Sequence, residues 1–366
     1  MNTFAVEAVG SRCATFKCTN YAQVAGGLPV LKKLINDPYQ VVEETISGIL
    51  KAYPYHLRRA KGSPRALVRS DAPVKGKVGI CTGGGSGHLP VFLGYVGPGL
   101  LDGVSVGNVF SSPGAEDMLA ATREVSGGAG VLYLFGNYGG DVMNFEMAAE
   151  TASAEGIPVK MSVVTDDVAS SPRPERYRRR GIAGIFFAYK IAGAKADTMA
   201  SLAEVKNVTD RVIEQTCTIG VALSPCTIPA VGKPNFTIGE DEMELGMGIH
   251  GEPGIIRTRL QRADDVAEVM SDRVIQDLPF KSGEEVAVLV NGLGATPAEE
   301  LFILYNKFHD VLNDHGLRTY RVFVGEYATS MEMAGASLSL LKLNEEFKSL
   351  LDAPAFSPFL MQWRHS

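Results

Sequence analysis

The sequence of 366 residues predicts an α/β fold made of two α/β domains with largely parallel sheets. Short runs rich in β-branched and aromatic residues lie at 77–81, 130–135 and 158–164, and each ends in glycine or polar residues. A helical pattern of apolar residues follows the second run, at 142–156. Strands that alternate with helix-sized segments are typical of parallel βαβ units. Ligands of such sheets bind at the carboxyl ends of the strands, so we expect the functional residues in the loops there.

The rest of the chain continues this pattern, and near residue 216 the sequence changes from a helical pattern to a β-rich one. Two helices are expected at 185–196 and 198–216. Beyond them the sequence predicts strands at 218–223, 285–290 and 318–325, helices at 263–277 and 297–315, and loops at 224–236 and 291–296. The length suggests two domains, at about 150 residues each. We predict an N-terminal domain at 27–215, a C-terminal domain at 216–366 whose last helix packs back on the first domain, and an extra or disordered segment at 1–26.

The composition is that of a globular protein, and it excludes several classes of function. Hydrophobic residues make up 45% of the chain, and 35 Lys and Arg stand against 41 Asp and Glu, a net charge of −6. Such a chain has no field that would attract nucleic acid or an anionic membrane surface. The densest basic run, RPERYRRR at 173–180, is therefore interpreted as a solvated loop rather than an anion site.

Cysteine usage and hydropathy predict a cytoplasmic protein. The five cysteines form no CxxC pair and no metal spacing, so we expect reduced thiols. No apolar run reaches the roughly 18 residues of a membrane span. Residues 1–26 lack the compact apolar core of a secretory signal.

Glycine is over-represented, with 40 residues in the chain. Four glycines lie in GGGSGH at 83–88, directly after the first predicted strand. Glycines allow backbone N–H groups to approach a ligand closely, as in phosphate-binding loops. The motif is neither a Walker A sequence nor a dinucleotide fingerprint, and NGLG at 291–294 is more typical of a turn. The sequence therefore shows no nucleotide-binding element of its own.

Two of the six histidines are candidates for chemistry. His88 and His250 each lie in a glycine-rich loop after a strand, where we expect the imidazole to be uncovered and reactive. Asp141 opens a predicted helix and is interpreted either as an N-cap or as a functional acid. A metal site of His88, His250 and Asp141 is an alternative, although no spacing supports it. The other histidines are expected to be structural or on the surface: His56, His309, His315 and His365.

Several motifs together resemble the substrate-binding K subunit of dihydroxyacetone kinases. They are KKLINDP at 32–38, GGGSGH at 83–88, GNYGGDVMNFE at 136–146, CTIPAVGKPNF at 226–236 and ELGMGIHGEPGI at 244–255. The last is highly specific, and the similarity runs from about Leu31 to the C-terminus. The resemblance implies a fold of the Dak1 and DegV type.

The same resemblance implies roles for individual residues. His250 matches the histidine that captures a short ketose as a hemiaminal, which distinguishes a carbonyl sugar from a polyol. His88 and Asp141 match the pair that hydrogen-bonds the terminal hydroxyl and accepts its proton as the phosphoryl group arrives. The positions implied to contact the sugar are Gly85, Ser86, Gly87 and Gly136.

The resemblance also implies partners. The nucleotide, ATP or ADP with Mg²⁺, is carried in this family by a separate L subunit, so the chain is expected to be a phosphotransferase subunit that is active only with that partner. The phosphoryl donor is either ATP or a phosphoprotein of the phosphotransferase system that recharges ADP on L. By analogy the chain forms a homodimer and has no metal of its own.

Two departures from the family pattern bear on the substrate. Gly136 stands where bacterial K subunits often have Lys, and Leu89 stands where Glu is common. We hypothesise that the lost Lys opens space for a larger ketose such as erythrulose. A ketose-sensing paralogue that binds a transcription factor remains an alternative function. The histidine motifs argue against a fatty-acid binder.

Overall fold

Two six-stranded sheets form the framework of residues 31–363, the part of the chain that the computed structural model describes. The predicted segment 1–26 lies outside these residues. Within them the helices are α1 (Val41–Ala52), α2 (Ala115–Val125), α3 (Gly139–Ala154), α4 (Ile185–Asp197), α5 (Leu202–Glu214), α6 (Ala263–Asp277), α7 (Ala298–Asp314) and α8 (Glu345–Leu351). The strands of the first sheet are β1 (Leu57–Arg59), β2 (Ala66–Arg69), β3 (Gly79–Ser86), β4 (Gly103–Val109), β5 (Val131–Gly136) and β6 (Val159–Val164).

The second sheet and two small hairpins contain the remaining strands. The sheet is made of β7 (Thr216–Ser224), β10 (Glu242–Leu245), β11 (Ile256–Arg259), β12 (Glu285–Gly292), β13 (Arg318–Gly325) and β14 (Ala334–Lys342). The hairpins are β8 (Thr227–Ile228) with β9 (Lys233–Pro234), and β15 (Ala355–Ser357) with β16 (Leu360–Gln362). Sheets interleaved with helices confirm the predicted α/β class.

The first sheet has the expected parallel core. Its order is β1-β2-β4-β3-β5-β6, and β4, β3, β5 and β6 run parallel. Every residue of β5 is buried, because helices cover both faces of the sheet. Tyr133 and Phe135 pack with α2 and α3, whereas Leu132 and Leu134 pack with α4 and α5. Continuous burial of this kind is typical of strands inside a parallel sheet.

The second sheet departs from the expected parallel arrangement. Its order is β11-β10-β7-β14-β12-β13, and only β12 and β13 pair in parallel. The central strand β14 was not predicted, since its sequence AGASLSLLK is rich in small residues with weak strand preference. No helix separates β14 from β13, so it returns antiparallel to its neighbours.

Helix α4 lies between the two sheets and joins their cores. Its sequence is apolar on all sides, and eleven of its thirteen residues are buried, as expected of a helix inside a core. Phe186 meets Phe323 of the second sheet with ring centroids 4.9 Å apart. The Lys190 ammonium donates to the Leu350 carbonyl oxygen of α8 at 2.8 Å. The last helix therefore packs on a helix that also covers the first sheet.

The glycine-rich motif at 83–88 is not the loop that the sequence predicts. Strand β3 continues through Gly83, Gly84 and Gly85 to Ser86, paired in parallel with β4. A Cβ at Gly84 would meet the Phe92 ring, and a Cβ at Gly85 would lie 2.7 Å from the Ser111 nitrogen. These glycines therefore make room for neighbouring protein atoms rather than for a ligand.

The basic run at 173–180 is not a solvated loop, and this corrects the prediction. Arg179 is fully buried and forms a two-pronged ion pair with Asp277 of α6, at 2.9 and 2.6 Å. Arg176 donates to the last carbonyls of α5, and Arg180 pairs with Asp167 at 2.7 Å. The arginines of the run therefore hold it against α5, α6 and Asp167, and Arg178 is the one arginine of the run that is exposed.

Two further expectations concern cysteines and membranes. Cys81, Cys217 and Cys226 are buried free thiols, whereas Cys13 and Cys18 lie outside the described residues. Between residues 31 and 363, no helix has the length and apolar character needed to cross a bilayer.

The Arg179–Asp277 pair gives a test of the corrected interpretation. Replacing Asp277 with Ala leaves the buried guanidinium without its carboxylate, so we expect the free energy of unfolding to fall by about 3–5 kcal/mol. The matched control is Arg178→Ala, which removes an exposed ion pair and should change stability little. Urea unfolding measures both. Equal effects of the two substitutions would contradict the buried role of Arg179.

Candidate functional site

The structure brings the two candidate histidines together. His88 follows β3 of the first sheet, and His250 lies in the loop between β10 and β11 of the second. Their ring centroids are 4.8 Å apart, with the rings at 78°. The candidate site therefore lies where the ends of the two sheets meet.

His88 is fully buried, although its glycine-rich surroundings predict an uncovered ring. Its Nδ1 lies 2.7 Å from the Thr329 carbonyl oxygen, which can only accept, so Nδ1 carries the proton. Nε2 then holds the lone pair and has no hydrogen-bond partner. Burial, helped by nearby His250, lowers the pKa of His88 to about 3. The side chain is thus a neutral imidazole with a free acceptor nitrogen.

His250 is oriented by Glu252, two residues later. Its Nδ1 lies 2.9 Å from Glu252 Oε1, and its backbone N–H donates to Oε2 at 3.0 Å. Burial works to raise the pKa of Glu252, but the hydrogen bond and charge of His250 outweigh it and bring the pKa to about 2. An ionised Glu252 accepts from a protonated Nδ1, and it thereby selects the neutral tautomer that has its lone pair on Nε2. The His250 side chain is 23% exposed, so a small molecule can reach it.

Arg180 connects the His250 loop to the end of β6. Its Nη2 donates to the Gly246 carbonyl oxygen at 3.1 Å, and its Nη1 lies 4.0 Å from Glu252 Oε2. Its Nε donates to Asp167, whose other oxygen accepts from the Ala169 N–H. The arginine thereby holds the start of the His250 loop against the end of β6 and places its positive charge near Glu252.

Aromatic rings surround the two imidazoles. Phe110 stacks on His88 with centroids 4.8 Å apart and planes 18° apart, and it meets His250 edge-on at 5.4 Å. Tyr138 meets His250 edge-on at 4.7 Å. The rings of Phe110 and Tyr138 therefore give His250 aromatic neighbours on the sides away from Glu252.

Asp141 lies in the first turn of α3 and is not its N-cap. The N-cap is Tyr138, without a side-chain cap, and Asp141 Oδ1 is buried with no hydrogen-bond partner. Burial raises the pKa of Asp141 to about 6, with Ser112 and His250 opposing the rise. A buried carboxylate oxygen without a partner, close enough to His250 for that side chain to influence its pKa, is a candidate acceptor for a substrate hydroxyl.

The four positions implied to contact the sugar lie near this site but leave less space than predicted. Gly85 and Ser86 end β3, and Gly87 has a φ of +100°, a conformation that favours glycine. Gly136 ends β5, where a Cβ would lie 3.1 Å from the Tyr138 ring. The space hypothesised at Gly136 is therefore occupied by Tyr138. Leu89 packs against the apolar core.

Sequence reasoning missed four residues of the site: Glu252, Thr329, Phe110 and Arg180. Glu252 stands in the quoted motif only two residues after His250, and this spacing was a usable signal. Thr329 contributes a backbone carbonyl, which no side-chain pattern can reveal. The chain positions of Phe110 and Arg180 are far from both histidines.

The structure does not support the alternative metal site. Within residues 31–363, no cluster of three or more His, Cys, Asp or Glu side chains is placed to hold an ion. The Nδ1 atoms of His88 and His250 are already engaged with Thr329 and Glu252. A cavity of about 380 Å³ near the C-terminal hairpin, lined by Pro98, Ala194 and Trp363 among others, lies apart from the histidines.

Comparison with known proteins identifies the family. The Dak1 domain family matches residues 47–359, and the chain belongs to it. It is 44% identical over 316 residues to the dihydroxyacetone-binding subunit DhaK of the PTS-dependent dihydroxyacetone kinase 1 of Listeria innocua, covering 86% of this chain and 95% of that protein.

Two further relatives have different names. D-erythrulose kinase of Mycolicibacterium smegmatis is 43% identical over 328 residues, which cover 90% of this chain but only 56% of the relative. The solved structure of the dihydroxyacetone kinase operon co-activator Dha-DhaQ superposes with a TM-score of 0.82 at 32% identity, covering 88% of this chain and 99% of that one.

The raised pKa of Asp141 predicts a pH-dependent cost to stability. The folded protein binds the proton more tightly than the unfolded chain, so stability is lost as pH rises from about 4 to about 6. Asp141→Asn should therefore be more stable than the parent above pH 6, by on the order of 3 kcal/mol, with the gain vanishing near pH 4. Chemical unfolding across this range measures it. Exposed Asp272→Asn is the control, and a gain independent of pH would refute the buried carboxylate.

Proposed function

We propose that this chain is the substrate-binding subunit of a dihydroxyacetone-type kinase, which captures a short ketose covalently on His250. The observation that carries the proposal is the His250–Glu252 contact of 2.9 Å through Nδ1, which leaves Nε2 available as a nucleophile on a ring whose centroid lies 4.8 Å from that of His88. The name of the 44% identical relative, a dihydroxyacetone-binding subunit, supports this substrate class.

The proposed capture step follows from the position of the proton on the His250 ring, which lies on Nδ1 and leaves Nε2 as the nucleophile. Nε2 of His250 attacks the ketone carbon, and the C=O π pair moves to the oxygen, which gains a proton. The Nδ1 proton passes to Glu252 and from there, through solvent, to the alkoxide oxygen, so the ring ends neutral, Glu252 returns to its carboxylate form and the protons balance. The product is a hemiaminal, with the sugar held by one N–C bond. A polyol has no electrophilic carbon and is not captured.

His88 and Asp141 would then serve the terminal hydroxyl. Nε2 of His88 accepts its hydrogen bond, and Asp141 Oδ1 offers a second acceptor at the first turn of α3. As the hydroxyl oxygen attacks the phosphoryl group, its proton passes to this pair. Gly85, Ser86 and Gly87 border the site, and Gly136 supports Tyr138.

The nucleotide is proposed to come with a separate L subunit. This chain has no Walker A motif or dinucleotide fingerprint, and the D-erythrulose kinase relative has further sequence beyond the matched 56%. ATP, or ADP recharged by a phosphoprotein, supplies the phosphoryl group together with Mg²⁺. A homodimer of this chain is proposed only by analogy with the family.

A ketose adduct on His250 is the direct test. Native mass spectrometry with dihydroxyacetone should show a mass increase of one sugar, mapped to His250 and absent in His250→Ala. The matched control is His309→Ala, on the exposed face of α7, which should form the adduct as the parent does. Glu252→Gln should slow capture by on the order of 10²-fold, since it cannot take the Nδ1 proton. An adduct that persists in His250→Ala would refute the proposal.

The identity of the ketose is a separate question. Erythrulose is proposed beside dihydroxyacetone because of the D-erythrulose kinase relative, and no longer because of space at Gly136. Isothermal titration of both sugars should give affinities within about tenfold of each other. Clear preference for dihydroxyacetone would remove erythrulose from the proposal.

A second candidate function is a ketose-sensing co-activator. The match to 99% of the Dha-DhaQ chain favours it, since that protein is named as an operon co-activator. Both functions require capture on His250. Adding a purified L subunit with ATP and Mg²⁺ separates them: a phosphorylated ketose supports the kinase, whereas capture without transfer supports the sensor.

A further inference from the structure

Phe110 has a backbone conformation that is unusual for its side chain. It follows β4 directly and has a φ of 56°, in the left-handed region. Bulky residues rarely adopt this region, and where they do the surroundings must hold them. Here the Phe110 N–H donates to the Ser86 carbonyl oxygen at 3.0 Å, which ties the residue to the end of β3.

The glycines of β3 leave room for Phe110. A Cβ at Gly85 would lie 2.8 Å from the Phe110 Cα, and a Cβ at Gly87 would lie 2.8 Å from its ring. Side chains at either position would displace Phe110. The GGGSGH motif and the strained conformation of Phe110 therefore depend on each other.

The Phe110 ring covers one face of His88. The two rings are nearly parallel, with centroids 4.8 Å apart, whereas Phe92 meets His88 only edge-on at 6.2 Å. The other side of Phe110 packs in an apolar cluster with Met331, Met333 and Leu293. An aromatic face excludes water and offers no hydrogen bond to an imidazolium N–H.

The polar groups that face His88 come from two segments. The loop between β10 and β11 brings His250, which disfavours a charge on His88, and Glu252, which favours it. The segment between β13 and β14 brings the Thr329 carbonyl, which accepts from Nδ1 and also favours the charge. Attraction of a cation to the Phe110 face would act in the same sense. Burial away from water disfavours the charged ring, and it outweighs the influences of Glu252 and Thr329 that favour the charge.

We propose that Phe110 is a positioning residue. Its stacked ring excludes water from His88 and holds the imidazole in one orientation, so that Nε2 remains an unprotonated hydrogen-bond acceptor. The catalytic meaning of this role rests on the proposed function, whereas the protonation state of His88 is a property of the ligand-free chain. An imidazole that stays neutral keeps the lone pair of Nε2 available to accept a hydrogen bond from a hydroxyl at any pH at which the protein is folded.

The test is a titration of His88 in the full chain without substrate or partner. NMR of histidines labelled at Cε1, with the His88 signal assigned from a His88→Gln variant, follows the ring directly. Phe110→Gly removes the ring and suits the left-handed backbone. It should raise the pKa of His88 by at least about one pH unit, a tenfold change in the protonation equilibrium. Phe92→Leu, the matched control on the edge-on ring, should change it by less than half as much.

Two further variants distinguish the loss of the stacked ring from misfolding. Phe110→Tyr keeps the stacked ring and should restore the parent titration, while Phe110→Leu keeps an apolar cover without a planar face and should lie between. In the L-subunit assay, Phe110→Gly should lower kcat only as the pH falls toward the raised pKa of His88, with no comparable loss near pH 8 and little change in KM. A His88 titration in Phe110→Gly equal to that of the parent would overturn the proposal.

The readouts keep the two hypotheses apart. A raised His88 pKa in Phe110→Gly without ketose capture by the parent supports the role of Phe110 and refutes the proposed function. Ketose capture by the parent together with an unchanged His88 titration in Phe110→Gly supports the proposed function and refutes the role of Phe110.

Discussion

The 4.8 Å approach of two imidazoles from different sheets is the constraint on which the other features of the site depend. His88 follows a strand in the parallel core of the first sheet, and His250 lies in a loop of the mostly antiparallel second sheet, so a shift of either sheet would move one of the two rings. Helix α4 fills the space between the sheets, and Arg179 and Arg180 tie the connection before it to both halves. Rigid scaffolds of this kind hold reactive groups in place before a substrate arrives.

The sequence predicted much of the fold because its strongest patterns are local. Buried β5 and the amphipathic helices α6 and α7 have clear periodicity, and their predicted bounds are close to those observed. Strand β14 has small residues, and its position between β7 and β12 depends on pairing with distant segments. Pairing partners and strand direction are tertiary properties, which explains the wrong expectation for the second sheet.

At the site, the histidines were predictable and their environment was not. Glycine near His88 suggested exposure, yet the absent side chains admit Phe110 and Phe92, so the same residues produce burial. The arginine run suggested a solvated loop because the sequence alone does not reveal its ion pairs with Asp277 and Asp167. In both cases the motif alone predicted exposure, whereas the fold buries it. Burial depends on contacts with residues that are far away along the chain.

Glu252 holds His250 through both the ring and the backbone, and this has a consequence for how the site can change in evolution. Glu252 belongs to the same short loop as His250, and Asn235, from the segment before β10, donates to the His250 carbonyl oxygen at 2.9 Å. Under the proposed function, the groups that capture the ketose would all belong to this chain and not to a docking partner. A duplicated copy could then exchange its docking partner and keep the proposed sugar chemistry, so that a metabolic subunit and a gene regulator could share one architecture.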